Sequence, residues 1–169
     1  GVASAGDITP SGSQTEAASY IVRVNNIDSK AFVINIADTV ATIITAMTAA
    51  VNSVISMPVI AADATPGTST EMGLTSKWKG LTANDIFVEI VGDTSLGTSF
   101  AITQPVGGLV DPSITVATDQ FGLTWETMVL NCLSSTDATN LNLMQVFGDG
   151  RWDPTERKPF VSFSGTTEV

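Results

Sequence analysis

The sequence contains no histidine and only one cysteine, Cys132. Without histidine, Ser-His-Asp and Cys-His catalysis are excluded, and the commonest protein ligand of zinc and iron is missing. A single cysteine cannot form an internal disulfide or a cage of thiolates around a metal. We therefore expect no enzymatic activity, no cofactor and no bound metal.

Basic residues and long apolar runs are also scarce. Seven Lys and Arg stand against 17 Asp and Glu, and the net charge of −10 disfavours binding to nucleic acid. No apolar run approaches the ~20 residues of a membrane span, so we expect neither a nucleic-acid nor a membrane partner. Five cations form two small groups, which we interpret as ordinary solvated loops: Lys77 and Lys79, and Arg151, Arg157 and Lys158.

The best-defined stretch runs from Ile36 to Ala62 and predicts a buried amphipathic helix followed by a strand. Asp38 stands at the expected N-cap, and Pro58 ends the helical pattern before the apolar run 59–62. One apolar stripe recurs at helical spacing. Its members are Val40, Ile43, Ile44, Met47, Ala50, Val51, Val54 and Ile55.

Residues 1–15 are rich in Gly, Ser and Thr and are expected to form a flexible lead-in, with at most one short edge strand at 7–9. Alternating apolar residues then predict a hairpin from 17–24 and 30–36, joined by turn residues. Further strands are predicted at 71–77, 86–92 and 99–104, the last two as a second hairpin. Residues 16–107 therefore predict an α+β domain with a mostly antiparallel sheet and one covering helix.

Residues 108–169 have a different pattern, which predicts a truncated α/β segment. A short helix is expected within 111–121, and buried strands are expected at 125–133 and 160–163. Ser134 to Asp137 supply N-cap candidates for a helix through Phe147, which Gly148-Asp149-Gly150 should break or fray. Strand, helix and strand with short connections imply a parallel crossover. A parallel pair needs cover on both faces and further strands, which this segment does not supply.

Acidic and glycine-rich segments offer only weak candidates for a chemical site. Asp85, Glu89 and Asp93 are interpreted as turn and surface acids rather than a catalytic carboxylate pair. Residues 149–153 provide too few alternating oxygen ligands for Ca²⁺. Gly107-Gly108 lacks the Lys-Ser/Thr of a P-loop and the third glycine of a dinucleotide fingerprint. No catalytic, cofactor-binding or metal-binding residue is predicted.

The remaining distinctive side chains are interpreted as packing residues. Cys132 follows apolar strand residues and is expected to be a buried small hydrophobe. Trp78, Trp125 and Trp152 are interpreted as core or interface anchors, with a sugar-binding platform as the alternative.

A series of short motifs follows one order along the chain, from about Gly6 to Phe163. The motifs are Asp38-Thr39, Ala50-Val51-Asn52, Met57 to Ala62, Met72 to Lys77, Lys79-Gly80, Asn84-Asp85-Ile86, Gly107-Gly108, Asp111-Pro112 and Arg151-Trp152. Each motif is unspecific by itself, but their order and spacing resemble the contractile-tail sheath proteins of Mu-like bacteriophages.

The resemblance implies a structural protein of the virion that polymerises around the tail tube and contracts during infection. It implies that 16–107 is an inserted domain that projects outward and that 108–169 begins the core domain. The implied partners are other sheath subunits and the tail tube. The implied locations are the phage tail and, during assembly, the host cytoplasm. The bulk of a sheath core and both terminal arms have no counterpart here, so a fragment of this kind is compatible with a monomer that cannot polymerise.

A second hypothesis comes from a different class of protein. An extracellular binding or adhesion module would also combine Thr and Ser richness, acidity and α+β hairpins. The sequence alone leaves both hypotheses open.

Overall fold

A computed structural model of the chain describes residues 1–133 and 137–164. The fold is mixed α+β with mostly antiparallel sheets and a few helices, as the sequence predicts. The chain divides into a first unit, Gly1–Val110, and a second unit, Asp111–Val169. The boundary predicted between 107 and 108 lies three residues before this division.

The first unit contains eight strands and one α-helix. The strands are β1 (Ala3–Gly12), β2 (Ala18–Val24), β3 (Ile27–Asp28), β4 (Phe32–Ile34), β5 (Val59–Asp63), β6 (Met72–Lys79), β7 (Val88–Val91) and β8 (Thr98–Val106). Helix α1 spans Val40–Asn52, and short 3-10 turns occupy Leu81–Asp85 and Thr94–Leu96. One antiparallel sheet has the order β5-β6-β1-β8, and in a second sheet β2 pairs with β3, β4 and β7.

The prediction of a flexible lead-in at residues 1–15 is wrong, because these residues contain β1. This ten-residue strand lies between β6 and β8 in the first sheet. The Gly, Ser and Thr composition predicted a loop, but Ile8 is fully buried in the core and Ser4 donates to the Ala83 carbonyl at 2.6 Å. Pairing with two distant strands therefore outweighs the weak local strand preference of this segment.

The first predicted hairpin is confirmed. Strands β2 and β4 pair antiparallel, with Tyr20 opposite Phe32. Asn25 and Asn26 adopt left-handed backbone in the turn, as their side chains allow. Tyr20, Val22 and Val24 all face the core, whereas Ile36 lies beyond β4 and is exposed.

Helix α1 lies against the core as predicted, but its N-cap is Thr39 rather than Asp38. The Thr39 hydroxyl accepts from the Thr42 N–H at 3.2 Å, and Asp38 accepts from the Asn35 N–H at 2.7 Å. The central residues of the predicted stripe, including Met47, are buried. Ile55 lies beyond the helix and is 93% exposed, so the stripe ends earlier than predicted.

The prediction of a second hairpin is wrong. Strand β7 pairs with β2, whereas β8 pairs with β1. A side-chain amide joins β7 and β8 instead: Gln104 accepts from the Val88 N–H and donates to the Val88 carbonyl, both at 2.8 Å. Alternation identified the two strands, but it carries no information about which strand each one pairs with.

The second unit contains α2 (Thr115–Thr118), a 3-10 turn at Asp119–Phe121, β9 (Met128–Asn131), α3 (Ala138–Trp152) and β10 (Val161–Ser164). Strands β9 and β10 are parallel and are connected through α3, as predicted. Asp137 caps α3, while the candidates Ser134 to Thr136 lie outside the described residues. Met128 and Leu130 of β9 and all of β10 are exposed, so the prediction of two buried strands is wrong.

The prediction that Gly148-Asp149-Gly150 breaks α3 is also wrong, because the helix continues to Trp152. Phe147 packs edge-on against Phe121 and at a tilt against Phe160, and the guanidinium carbon of Arg151 lies 5.5 Å from the Phe147 ring centre. Each glycine costs a helix about 1 kcal/mol relative to alanine. Tertiary packing on both sides of the glycines compensates for that cost.

Candidate assembly surface

The parallel strands of the second unit place four large apolar side chains on one face of a two-stranded sheet. Val161 pairs with Met128, and Phe163 pairs with Leu130. Residues that pair in register point to the same face, so these four form one patch, here called the apolar sheet face. Their exposed fractions are 62% for Met128, 71% for Leu130, 56% for Val161 and 49% for Phe163.

The opposite face of the pair is partly covered. Val129 packs against a small core of Ile114, Met144 and Phe160, which connects β9 to α3. Among the described residues of the second unit, no third strand pairs with β9 or β10. A parallel sheet normally has both faces covered. The apolar sheet face is therefore the place in the described part of this unit where such a covering layer is missing.

A mostly apolar depression of about 320 Å³ lies along β9 and faces α2. Ile114, Phe121, Val129 and Met144 are among the residues that line it, and Cys132 lies on its wall. Cys132 is exposed, so the prediction of a buried hydrophobe is wrong. Alternation along β9 ends at Asn131, which is buried and accepts from the Leu133 N–H at 3.0 Å, and the chain turns there.

The first unit has a different exposed face, formed by small side chains on the outer side of its four-stranded sheet. Cross-strand pairs such as Thr9 with Ala101 and Ser11 with Ser99 make up this small-residue face. The Ser11 and Ser99 hydroxyls lie 2.8 Å apart, and the Thr103 hydroxyl donates to Asp7 at 3.1 Å. Ile60 on β5 points to the same side and is 53% exposed, so the face is formed mostly, but not entirely, by small side chains.

Two of the three acids considered as catalytic carboxylates, Glu89 and Asp93, form hydrogen bonds that support the fold. Glu89 lies opposite Arg23 in the ladder and accepts from its guanidinium at 3.3 Å. Asp93 accepts from the Ser95 hydroxyl at 2.6 Å and from its N–H at 2.9 Å, and these bonds hold the pKa of Asp93 below its usual range. Asp85 ends a 3-10 turn. In the part of the chain that the structure describes, no three His, Cys, Asp or Glu residues group as a metal site.

The basic residues divide between surface and interior. The Lys77 ammonium donates to the Ile55 carbonyl at 2.9 Å, and the Lys158 Nζ lies 3.8 Å from the Glu156 Oε2. Arg151 is buried, so its assignment to a solvated loop is wrong. Its guanidinium donates to the carbonyls of Gly122 and Thr124 and thereby holds the 122–124 segment against the last turn of α3.

The three tryptophans are all partly or largely exposed, which excludes a core position for Trp125 and Trp152. The Trp125 indole N–H donates to the Pro159 carbonyl at 2.9 Å and links the segments that lead into β9 and β10. Trp78 lies near the end of β6, between the exposed lysines 77 and 79. A role of these residues at interfaces stays a prediction.

The sequence predicted that the parallel pair lacks cover, but it did not identify which face is exposed, because each apolar strand by itself is interpreted as buried. No helix among residues 1–133 and 137–164 is long and apolar enough to cross a membrane. No family model matches the sequence, and no curated protein matches it with significance.

Proposed function

We propose that the chain is a structural assembly protein, part of a contractile phage tail sheath related to those of Mu-like bacteriophages. In this proposal its partners are other sheath subunits and the tail tube. The observation that carries the proposal is the apolar sheet face: four large apolar side chains stand exposed together on a parallel sheet. Exposed patches of this kind mark interaction surfaces in soluble proteins.

The small-residue face of the first unit supports the same proposal. A contractile array needs subunit contacts that rearrange, and a contact between small side chains has few interlocking groups to disengage. The carboxylates with resolved partners serve the fold, which agrees with a protein that performs no chemistry. The choice of the sheath family in this proposal rests on the ordered sequence motifs that resemble sheath proteins.

Electron microscopy of the natural full-length polypeptide tests the proposal. We expect ring stacks or long tubes around a central channel. If no ordered polymer forms across a range of salt and protein concentrations, in a product that is folded by circular dichroism, the proposal is overturned. Salt is varied because subunits with a net charge of −10 in this region repel each other.

A pair of variants then tests the surface. Leu130→Lys with Phe163→Lys places two charges on the apolar sheet face and should abolish the polymer, because a buried interface would have to desolvate them. Val146→Lys is the matched control, since Val146 is exposed on α3 of the same unit. Equal polymer formation by both variants would remove the apolar sheet face from the interface.

A second candidate function, an extracellular binding or adhesion module, is favoured by one observation, the exposed indole of Trp78 beside Lys77 and Lys79. An exposed indole gives a sugar ring an apolar surface to stack on. Glycan-array binding by the wild type that is lost in Trp78→Ala and kept in Trp152→Ala would support this function. An absence of glycan binding by the wild type would contradict it.

A further inference from the structure

The small-residue face contains a row of four paired residues that crosses all four strands of its sheet. Thr75 pairs with Ile60 on one side and with Ala5 on the other. Ala5 in turn pairs with Val106. Paired residues point to the same side of a sheet, so these four stand together and are here called the cross-strand row. Ile60 and Val106, at its ends, are more than half exposed, and the two residues between them have short side chains.

The charged side chains of this face lie on opposite sides of the cross-strand row. On one side Asp7 pairs with Gly73. Glu71 extends the same ladder, because its carbonyl accepts from the Ala64 N–H at 2.9 Å. On the other side Lys79 pairs with the first residue of β1. The face is therefore acidic toward one end of its strands and basic toward the other.

The acidic side contains a depression of about 330 Å³, and Asp7, Glu71 and Gly73 are among the residues that line it. Gly73 has no side chain to fill the depression, and a Cβ there would lie 3.2 Å from that of Ala64. A lysine side chain is a flexible four-carbon stem with a compact positive charge, so it suits both the shape and the charge of the depression. Among the described residues, Lys79 forms no ion pair.

We propose that the small-residue face binds a second copy of this chain, face to face, about a two-fold axis that runs along the cross-strand row. Such an axis reverses the direction of the strands, so the acidic side of each copy meets the basic side of the other. Lys79 of one copy enters the depression beside Asp7 of the other, and this contact occurs twice. Ile60 and Val106 lie on the axis, where each packs against its own counterpart.

This pairing does not rest on the sheath proposal. A two-fold contact closes on itself, whereas a helical tube is built from heterologous contacts. The pair therefore consists of unassembled subunits. It must separate before the small-residue face can touch a neighbour in a contractile array.

Sedimentation velocity of the whole chain tests the pairing. The reference chain carries Leu130→Lys and Phe163→Lys, so the apolar sheet face does not contribute and the result is independent of polymer formation. We expect the reference chain to form a dimer as its concentration rises. Asp7→Lys or Lys79→Glu, each added to the reference, should weaken the dimer at least about 10-fold, because each sets like charges against each other twice. An equimolar mixture of these two variants should recover the dimer, because every like-charge pair then becomes an opposite-charge pair.

Glu16→Lys and Lys30→Glu are the matched controls, because they make the same changes of net charge at exposed positions outside the four strands. Both should keep the dimer of the reference chain. Circular dichroism establishes that each variant is folded. A reference chain that stays monomeric at about 1 mM overturns the pairing. Folded variants that keep the dimer, or a mixture that fails to recover it, also overturn the pairing.

A substitution on the axis decides the question if a charge variant fails to fold. Ile60→Glu sets two carboxylates against each other across the axis and should weaken the dimer. Val33→Glu is its control, since Val33 is exposed on β4 in the other sheet. Dimers of equal strength in these two variants overturn the pairing.

Discussion

At the scale of single residues, side-chain amides repeatedly take the place of a neighbouring strand. Asn52, the last residue of α1, donates to the Ala61 carbonyl at 2.8 Å and accepts from the Ala61 N–H at 2.9 Å. Gln104 does the same for Val88, and Asn84 for Gly108. One edge of a side-chain amide presents an N–H donor beside a carbonyl acceptor, so the amide can satisfy both backbone groups of a strand residue.

We expect Asn52→Leu to destabilise the first unit by about 1–3 kcal/mol, because it leaves the Ala61 N–H and carbonyl without their partner. Urea unfolding followed by circular dichroism measures the loss. Ala49→Leu is the control, since Ala49 is exposed on the same helix and its change should lie within about 0.5 kcal/mol. Equal stabilities for the two variants would contradict a structural role for the amide.

Asn52 has a second effect, on the edge of the sheet. Strand β5 is an edge strand of the first sheet, and an unprotected edge can pair with other chains. Because the Asn52 amide is hydrogen-bonded to the N–H and carbonyl of Ala61, these two backbone groups cannot pair with another chain. Asn52→Leu frees them and should therefore also raise the rate of aggregation, as measured by light scattering. This effect links one residue to the solubility of the whole chain.

Two carboxylates predict how stability depends on pH. The Arg23 guanidinium holds the pKa of Asp28 below its usual range, and the Ser95 hydroxyl and N–H do so for Asp93. A pKa that is lower in the folded state gives stability that is present above the unfolded pKa and is lost as the pH falls through the folded pKa. Since no histidine titrates, we expect a nearly constant Tm from pH 6 to 7 and a decline below about pH 4.5.

Thermal melts of Asp93→Asn from pH 3 to pH 7 test this expectation. The variant should lose part of its stability at neutral pH and show a weaker decline in acid than the wild type. Glu16→Gln, at an exposed turn after β1, is the control and should keep the wild-type profile. An acid decline of Asp93→Asn as steep as that of the wild type would count against this role.

At the scale of elements, α1 is the clearest case in which local pattern and tertiary structure agree. Its buried residues follow the helical spacing of the sequence, and Met47 is fully buried. The helix packs against strands of both sheets of the first unit, so it connects the two sheets through one core. Loss of its packing should therefore affect the whole unit.

We expect Met47→Asp to unfold the first unit, because a buried unpaired carboxylate costs more than about 4 kcal/mol. Near-ultraviolet circular dichroism and a thermal melt provide the measurement. Thr45→Asp is the control, since Thr45 is exposed on the same helix and its variant should remain folded. A Met47→Asp variant that melts with the wild type would show that the helix does not support the core.

Much of the fold could be predicted from local patterns in the sequence. Period-two and period-3.6 patterns identified β2, β4, α1, β6 and the β9-α3-β10 crossover, because these patterns are local. Only 7–9 of β1 was considered as a strand, and as an edge strand, because the support of β1 comes from β6 and β8, which lie far away in the sequence. The partners of β7 and β8 were wrong for the same reason, since pairing is a property of the tertiary structure.

The candidate surface was less predictable than the fold. Met128 and Leu130 alternate with Val129, and that pattern indicates one covered face without saying which face is bare. The sequence did predict that the parallel pair lacks cover and neighbouring strands. The exposure of Cys132 and the burial of Arg151 depend on how the chain turns after Asn131 and at 122–124, where no periodic pattern exists.

At the scale of the whole molecule, the two units differ greatly in the size of their cores. Eighteen buried apolar side chains form one cluster in the first unit, whereas the cluster of the second unit contains Ile114, Met144 and Phe160. Burial of apolar surface is the main favourable term in folding. The second unit, taken by itself, therefore has much less to hold it folded.

Hydrogen exchange followed by mass spectrometry should reveal this difference. We expect the slowest amides in β1, β2 and β6, and faster exchange in β9 and β10 by at least about 10-fold, because local opening free energies follow local packing. Equal protection in the two units of the isolated chain would contradict the difference. Slower exchange in β9 and β10 after polymerisation, with little change in β2, would be expected if the apolar sheet face becomes covered.

The position of β1 in the middle of its sheet also bears on how the protein is made. Ala5 pairs with Val106, so the amino-terminal strand is synthesised long before its last partner leaves the ribosome. Pairing between such distant segments is slow and leaves sheet edges open during synthesis. Until β8 emerges, β1 can pair with β6 on one side but has an open edge on the other. We therefore expect ribosome-bound intermediates that end before Thr98 to bind chaperones.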